Sequence, residues 1–402
     1  MGARFLSELT CDAFQDDNET TYSEEVIRVT GIVSYRPTRA VVDTSAIRTN
    51  VRKLRKKLPA ETDVIAVVKA DGYGHGAAES ARAAFREGAI MAAVATPDEA
   101  LDLRDSGIQQ PILVLGPVPI PFLKEAIRQD VTVTIPGVQW AQAASAELQG
   151  IGETLKTHVK IDTGMGRIGV RSEEEIIELL KILEGTSAIE VEGIFTHFAA
   201  ADEQDTKSME EQFRKFNRLA ACFPERPKII HAANSAAALR FPDFALDAVR
   251  FGIGMYGIAP SEVVARELQF PLERALRLET EIAFVKQMDA EEPISYGGTY
   301  VSRPGEWIAT LPIGYADGLK RGLRNQHVLV RGQRVPIVGT ICMDQCMIRL
   351  PEQLPAGEPV VLLGKQGNEE ITMEEWATRI GTIPYEITVT IARRVQRQYF
   401  GD

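Results

Sequence analysis

The chain has 402 residues, with 45 Lys+Arg against 56 Asp+Glu and a formal net charge of −11. At about 150 residues per domain this length suggests two or three domains, enough to bury a core without disulfide or metal staples. Hydrophobic residues at 45% and charged residues at 25% exclude a mainly disordered or collagen-like chain. The acidic balance argues against binding nucleic acid or an anionic membrane, since both need clustered Lys/Arg, and no apolar run approaches the ~20 residues of a membrane span.

Residues 1–34 read as a separate acidic extension. Within residues 1–25, Arg4 stands against Glu8, Asp12, Asp16, Asp17, Glu19, Glu24 and Glu25, with few apolar residues to dock the segment. A basic stretch followed by an apolar one is missing, so no secretory signal is expected and the location is expected to be cytoplasmic. The cysteines, Cys11, Cys222, Cys342 and Cys346, are too sparse for a disulfide scaffold. Cys342 and Cys346 form a C-x3-C without the His/Cys cluster that would complete a tetrahedral site, so no metal is expected.

From residue 60 to 260 short apolar, β-branched runs recur: Val64–Lys69, Ile90–Ala95, Pro111–Gly116, Val131–Ile135, His158–Ile161, Ile189–His197, Ile229–Asn234 and Ala248–Gly252. Helical stretches such as SARAAFREG, PDEALDLRDSG, IPFLKEAIRQD, SEEEIIELLKILEG and EEQFRKFNRLAACF lie between them. Continuous apolar strands alternating with amphipathic helices mean βαβ units and a parallel sheet. Eight such strands fit a (β/α)8 barrel over residues 35–271, whereas a doubly wound sheet usually stops at five or six. The earlier run RPTRAVVD is a first strand that could instead pair with the C-terminal domain. Residues 272–402 change texture. LRLETEIAFVKQMDAEEPISYGGTYVSRPGEWIATLPIG and HVLVRGQRVPIVGTICMDQCMIRL alternate apolar with polar residues between Gly and Pro turns, as in an antiparallel β domain with VRGQRVPIV as a hairpin. A last helix is expected in YEITVTIARRVQRQYF.

A barrel should carry its functional groups just after the C-terminal ends of its strands. Lys69 closes the first run, followed by the glycine-rich ADGYGHG. A lysine desolvated there has the depressed pKa that a Schiff-base nucleophile or general base needs. The fifth run leads into KIDTGMGRIG, whose Arg167 could reach inward as an anion contact. The sixth ends at His197, the seventh offers Asn234 and Ser235, and the eighth carries Arg250, Gly252 and Ile253. Loops after the last two strands of such barrels commonly hold a phosphate, a role that Ser235, Gly252 and Ile253 fit. A reactive lysine on one side and a phosphate cradle on the other suggest pyridoxal phosphate (PLP). Residue types alone do not choose the reaction.

The run AVVKADGYGHG resembles the signature of the alanine racemases, PLP enzymes with an N-terminal barrel and a C-terminal β domain. The resemblance continues through KIDTGMGRIG, GIFTHFA, HAANSA, VRFGIGMYG, SYGGTY, LPIGYADG, VGTICMDQCM and PYEI, covering residues 36–402. It implies that Lys69 binds PLP covalently and serves as one of two catalytic bases. Tyr296, supplied by the other subunit of a homodimer, would be the second. Arg250 would face the pyridine nitrogen with His197 bonded to it. Tyr73, Ser235, Gly252, Ile253 and Tyr385 would contact the phosphate, and Asn234 would line the pocket. Arg167 and the backbone N–H of Met343 would receive the substrate carboxylate. Lys160 matches a position often carbamylated, while Tyr315 and Asp344 match the substrate entrance. The implied reaction interconverts L- and D-alanine for the bacterial cell wall.

Three features depart from the family pattern: the extension, Arg39 where an aromatic residue is frequent, and Thr340 where an arginine is common. None touches the catalytic pair. The closest rival is a racemase of broader specificity or serine preference, which one methylene or hydroxyl separates by only about 1–3 kcal/mol. A decarboxylase of this architecture usually offers the ring nitrogen a carboxylate, where this chain has Arg250. A PLP-binding module without racemase activity would lack the β domain and its tyrosine.

Overall fold

The computed structural model describes residues 28–29 and 34–401. Most of the expected acidic extension, Cys11 included, lies outside the described residues. The chain divides into two compact units, one spanning Ala46–Arg274 and the other joining the residues up to Ser45 to those from Ala275 onward.

The first unit is a closed barrel of eight parallel strands surrounded by helices. The strands are Asp63–Val67, Met91–Val94, Ile112–Pro117, Val131–Ile135, Leu155–Lys160, Ile189–Phe195, Ile229–His231 and Ala248–Phe251. The eighth closes the ring against the first, with Arg250 opposite Ile65. All eight apolar runs of the sequence are strands, with ends shifted by a few residues. Their side chains are buried on both faces, as in Met91–Val94 and Val131–Ile135, which is why the runs are apolar without alternation. Local chemistry sets the helix starts. Thr96 and Glu99 form a capping box on Pro97–Asp105, and Ser172 caps Glu173–Glu184. The helix Val138–Glu147 was not singled out above, because small residues and a single terminal charge give it little amphipathic pattern.

The second unit holds one large sheet and a separate strand pair, Pro293–Ile294 with Tyr300–Val301. The large sheet's strands run in the order Gln396–Phe400, Arg39–Asp43, Leu276–Glu281, Pro359–Gln366, His327–Val330, Gln333–Val338, Cys346–Leu350, Trp307–Leu311, Phe284–Gln287. Neighbours are antiparallel except Arg39–Asp43 with Gln396–Phe400. The strand containing RAVVD thus pairs with the C-terminal unit. VRGQRVPIV forms a hairpin whose two loop residues, Arg331 and Gly332, have φ of 50° and 72°, the left-handed pair that a tight hairpin requires.

One expectation needs correcting. YEITVTIARRVQRQYF is helical only within Pro384–Val389, and its end is the strand Gln396–Phe400. Arg397 and Tyr399 are buried on alternate positions, a period of two. The Arg397 guanidinium donates to the carbonyls of Ile391, Ala392 and Val395, so a charge that reads as a helix surface is an internal clamp.

Asp317 anchors this unit. Its side chain is 0% exposed. It accepts from Arg36 Nη1 and Nη2 at 2.9 and 3.0 Å, from Arg394 Nε and Nη2 at 2.5 and 3.1 Å, and from the Gly314 N–H at 3.0 Å. Burial raises its pKa, but these donors outweigh that and hold the carboxyl below its ordinary range. Asp317→Asn should cost about 2 kcal/mol of stability at neutral pH, both arginines being partly solvated. Because the folded-state pKa is the lower one, this contribution is present above the unfolded value and lost as pH falls through the folded one. The gap between the two proteins in urea midpoint should therefore shrink below about pH 4.

Candidate active site

The first barrel strand stops at Val67, and Lys69 opens a tight turn one residue further on. Ala70, Asp71, Gly72 and Tyr73 have φ of 52°, 52°, 61° and 52°, a single turn of left-handed helix. Each L-residue in that region costs roughly 1–2 kcal/mol, and only Gly72 escapes. Hydrogen bonds hold the strain. Gly72 donates to the Val68 carbonyl at 2.8 Å, Gly74 to Ala70 at 3.0 Å and Gly76 to Asp71 at 2.8 Å. Ala77 N–H reaches the Asp71 carboxylate at 3.0 Å, and Ala70 N–H reaches Glu99 Oε1 at 2.6 Å. Burial, with Arg167 and Arg250, lowers the Lys69 pKa against the opposing charge of Glu99.

Other cations gather after the fifth and eighth strands. Lys160 is 2% exposed with Nζ 4.5 Å from the Phe195 ring centroid, and burial pushes its pKa well below the ordinary value. Arg167, in the loop after the fifth strand, has no carboxylate partner among the described residues, and its charge acts on Lys69, Lys160, His197 and Arg250.

Arg250 is buried without a carboxylate partner among the described residues. Its Nη1 donates to His231 Nδ1 at 2.9 Å, and its Nη2 donates to the carbonyls of Thr196 and Ala232 at 2.8 and 2.9 Å and to His197 Nδ1 at 3.2 Å. Burial and Arg167 depress it to about 9, still above neutrality, so the guanidinium stays charged. A guanidinium can only donate, which assigns Nδ1 of His231 as acceptor. Burial and Arg250 keep His231 neutral, so its Nε2 carries the proton and donates to His158 Nδ1 at 2.9 Å. His158 Nε2 then faces Glu192 at 3.8 Å, beyond hydrogen-bond reach. Sequence reading named His197 but missed His231 and His158. A buried histidine inside an apolar strand carries no signal of its own, and only barrel closure aligns these two.

Next to Arg250 the chain forms a small polar cradle. Asn234 caps the helix Ser235–Arg240 by accepting from Ala237 N–H at 3.1 Å. The Gly252 N–H donates to Ser235 Oγ at 2.8 Å, and Ile253 begins a 3-10 turn. A Cβ on Gly252 would lie 2.8 Å from Tyr73 Oη, so the glycine is what lets the Tyr73 hydroxyl pack against the backbone there. Tyr73, pushed up to about 12 mainly by burial, remains a neutral phenol. Lys69, Tyr73, Lys160, Arg167, His197, Asn234, Ser235, Arg250, Gly252 and Ile253 thus all follow or end strands at the C-terminal mouth of one barrel.

Tyr296, Tyr315, Met343, Asp344 and Tyr385 lie in the other unit. Tyr296 is 74% exposed. It sits between Ser295 and Gly297, with φ of 68° and 76°, and its carbonyl accepts from Thr340 Oγ1 at 2.8 Å. Tyr315 N–H bonds the Cys342 carbonyl and Ala316 N–H bonds that of Met343, each at 3.0 Å. Asp344 accepts from Arg394 at 2.6 Å. Tyr385 lies on the helix Pro384–Val389. Thr340, which the sequence marked only as a departure, therefore braces the tyrosine turn.

The cation cluster makes a direct prediction for the unliganded protein. Arg167→Gln removes a charge that disfavours the Lys69 ammonium, so the midpoint for modification of Lys69 by an amine reagent should move to higher pH. Peptide mapping of the modified lysine across a pH series checks this, and an unmoved midpoint would separate Arg167 from Lys69.

Residues 42–260 match the alanine racemase N-terminal domain and residues 275–399 the alanine racemase C-terminal domain. An alanine racemase of Geobacillus stearothermophilus is 47% identical over 366 residues, 91% of this chain and 94% of the relative. A crystal structure of alanine racemase from Bacillus anthracis with bound L-Ala-P superposes with a TM-score of 0.89 at 45% identity, covering 92% of this chain and 97% of that one. That of the Enterococcus enzyme (E. faecalis) gives 0.87 at 45% identity, over 92% and 100%. With its parallel barrel, its antiparallel sheet and a desolvated lysine after the first strand, the chain belongs to the alanine racemase family of isomerases.

Proposed function

We propose that this racemase interconverts L- and D-alanine with PLP held at the barrel mouth, and that Lys69 and Tyr296 are its two bases. The observation that carries the reading is the pairing of Lys69 with the Gly252–Ser235–Tyr73 cradle. The first and eighth strands are neighbours, so a desolvated amine and a cluster of hydroxyl and backbone groups stand on adjacent strand ends. The cradle fits the group because the hydroxyls of Tyr73 and Ser235 converge on Gly252, with the charged Arg250 guanidinium, held by carbonyls and histidines, nearby. Bound there, PLP supplies the electron sink that acidifies the Cα–H of an amino acid.

The protein's own groups do the rest. Tyr73, Ser235, Gly252, Ile253 and Tyr385 are assigned to the phosphate, and Asn234 to the pocket wall. Arg250 is assigned to the ring nitrogen. Its donors are oriented by backbone carbonyls, His231 and His197, and its charge persists at pH 7, so it holds the nitrogen without giving up a proton. That limits the ring as a sink and favours proton exchange over transamination. Arg167, a cation with no carboxylate of its own, is assigned with the Met343 N–H to the substrate carboxylate. Lys160, buried with the charges of Arg250 and Arg167 acting on it, has its pKa pushed well down, which favours the neutral amine that carbon dioxide converts to a carbamate with release of a proton. Tyr315 and Asp344 are assigned to substrate entry.

Tyr296 is exposed on its own unit, which supports a shared site in which each subunit of a cytoplasmic homodimer lends its tyrosine to the partner's lysine. D-alanine from such an enzyme serves the cell wall. Chiral chromatography after incubation with L-alanine or L-serine tests the reaction, and rapid D-serine with little D-alanine would replace the substrate assignment. Mixing Lys69→Ala with Tyr296→Phe under subunit exchange tests the shared site. Random exchange leaves half the dimers mixed, each with one intact site, so activity should return to about a quarter of wild type. Baseline activity despite demonstrated exchange would put both bases on one chain.

A further inference from the structure

We propose that Glu99 is a positioning residue for Lys69, its carboxylate tying the left-handed turn that begins at the lysine to the end of the second barrel strand. The inference rests on the reading of Lys69 as the reactive amine. Three backbone N–H groups converge on this one side chain. Ala70, the residue after Lys69, donates to Oε1 at 2.6 Å, while Ala95 and Thr96 donate to Oε2 at 2.7 and 3.3 Å. Glu99 is itself fixed as the third residue of the helix Pro97–Asp105, its N–H donating to Thr96 Oγ1 at 3.3 Å.

A helical turn of either hand leaves its first amides without a carbonyl behind them. Gly72, Gly74 and Gly76 find acceptors within the turn or at Val68. Ala70 does not: the residue four places back, Ala66, lies inside the first barrel strand. Without Glu99 that amide would turn to water, and the turn, with three L-residues held at positive φ, would lose its tie to the end of the second strand. A carboxylate mounted on a neighbouring helix makes a charge-assisted bond instead. It links the turn to Ala95 and Thr96, so the lysine's backbone is referenced to two strands of the barrel.

Glu99 also stands among the charges that face Lys69. These are Arg167 after the fifth strand, Arg250 on the eighth, Glu99 after the second and His197 after the sixth. It alone favours the ammonium, so a plain helix cap and a positioning carboxylate differ in what they do to the lysine.

Two variants separate these roles. Glu99→Gln keeps the size and one accepting oxygen, but turns an NH2 against one set of N–H groups and removes the charge. Thr96→Ala weakens the same helix cap while leaving the carboxylate on Ala70. In unliganded Glu99→Gln, amide hydrogen exchange across residues 68–76 should rise by about tenfold or more. The pH midpoint for amine modification of Lys69 should fall, because a charge that stabilised the ammonium is gone. Thr96→Ala should leave both readings at the wild-type values. If Thr96→Ala reproduces both changes, Glu99 acts only through the helix and the proposal fails. If Glu99→Gln matches wild type in exchange and midpoint, no tie exists. Borohydride reduction of the PLP-loaded wild-type protein, with peptide mapping, reads the functional assignment separately. Cofactor fixed to another lysine would overturn the role of Lys69 and leave the exchange result standing.

Discussion

A guanidinium buried without a carboxylate organises the barrel mouth. Arg250 is 3% exposed, and a charge in that position must be met by hydrogen bonds or be strongly destabilising. Carbonyls from the sixth and seventh strand ends meet it, so Thr196, Ala232 and His231 have to arrive together. This requires closure of the ring. The same demand sets the histidine tautomers, since a group that only donates forces Nδ1 of His231 and of His197 to accept. The outcome is a fixed array of donors that does not itself titrate near neutrality, suited to holding a ring nitrogen in one protonation state.

Around that array the charges are unbalanced. Burial lowers the pKa values of Lys69, Lys160 and Arg250, with Arg167 and Arg250 adding to it at both lysines and Arg167 at Arg250, and the nearby carboxylates are engaged with backbone amides: Glu99 with Ala70, Ala95 and Thr96, and Asp162 with Gly164 and Gly166. A site built this way is short of anions. A phosphate and a substrate carboxylate would supply them. The same cations that depress the Lys69 pKa thus also favour an anion at the barrel mouth.

The second unit relies on a different device. Asp317 gathers two arginines from distant parts of the chain, Arg36 and Arg394, and so fastens both ends of the segment to the sheet. The loop next to it carries Tyr315 and, through backbone bonds, the segment with Met343. The clamp and this loop share residues, so a substitution at Asp317 is felt at both.

The sequence by itself determined the eight strands, the change to an antiparallel sheet and the motif residues, because strand burial on both faces and glycine-rich turns leave a pattern in residue type. Lys69, His197, Ser235 and Arg250 were legible for the same reason: each stands just past or within an apolar run. Only the tertiary structure decided what no local pattern records. Arg397 and Tyr399 sit in a strand because a parallel partner, Arg39–Asp43, reaches them from the far end of the chain. His158 and His231 become a relay only when the fifth and seventh strands bring them within 2.9 Å. Glu99 reads as an ordinary cap until the first strand's turn is folded against it. In each case the partners are far apart in sequence, and their meeting is fixed by closure of the ring or order in the sheet.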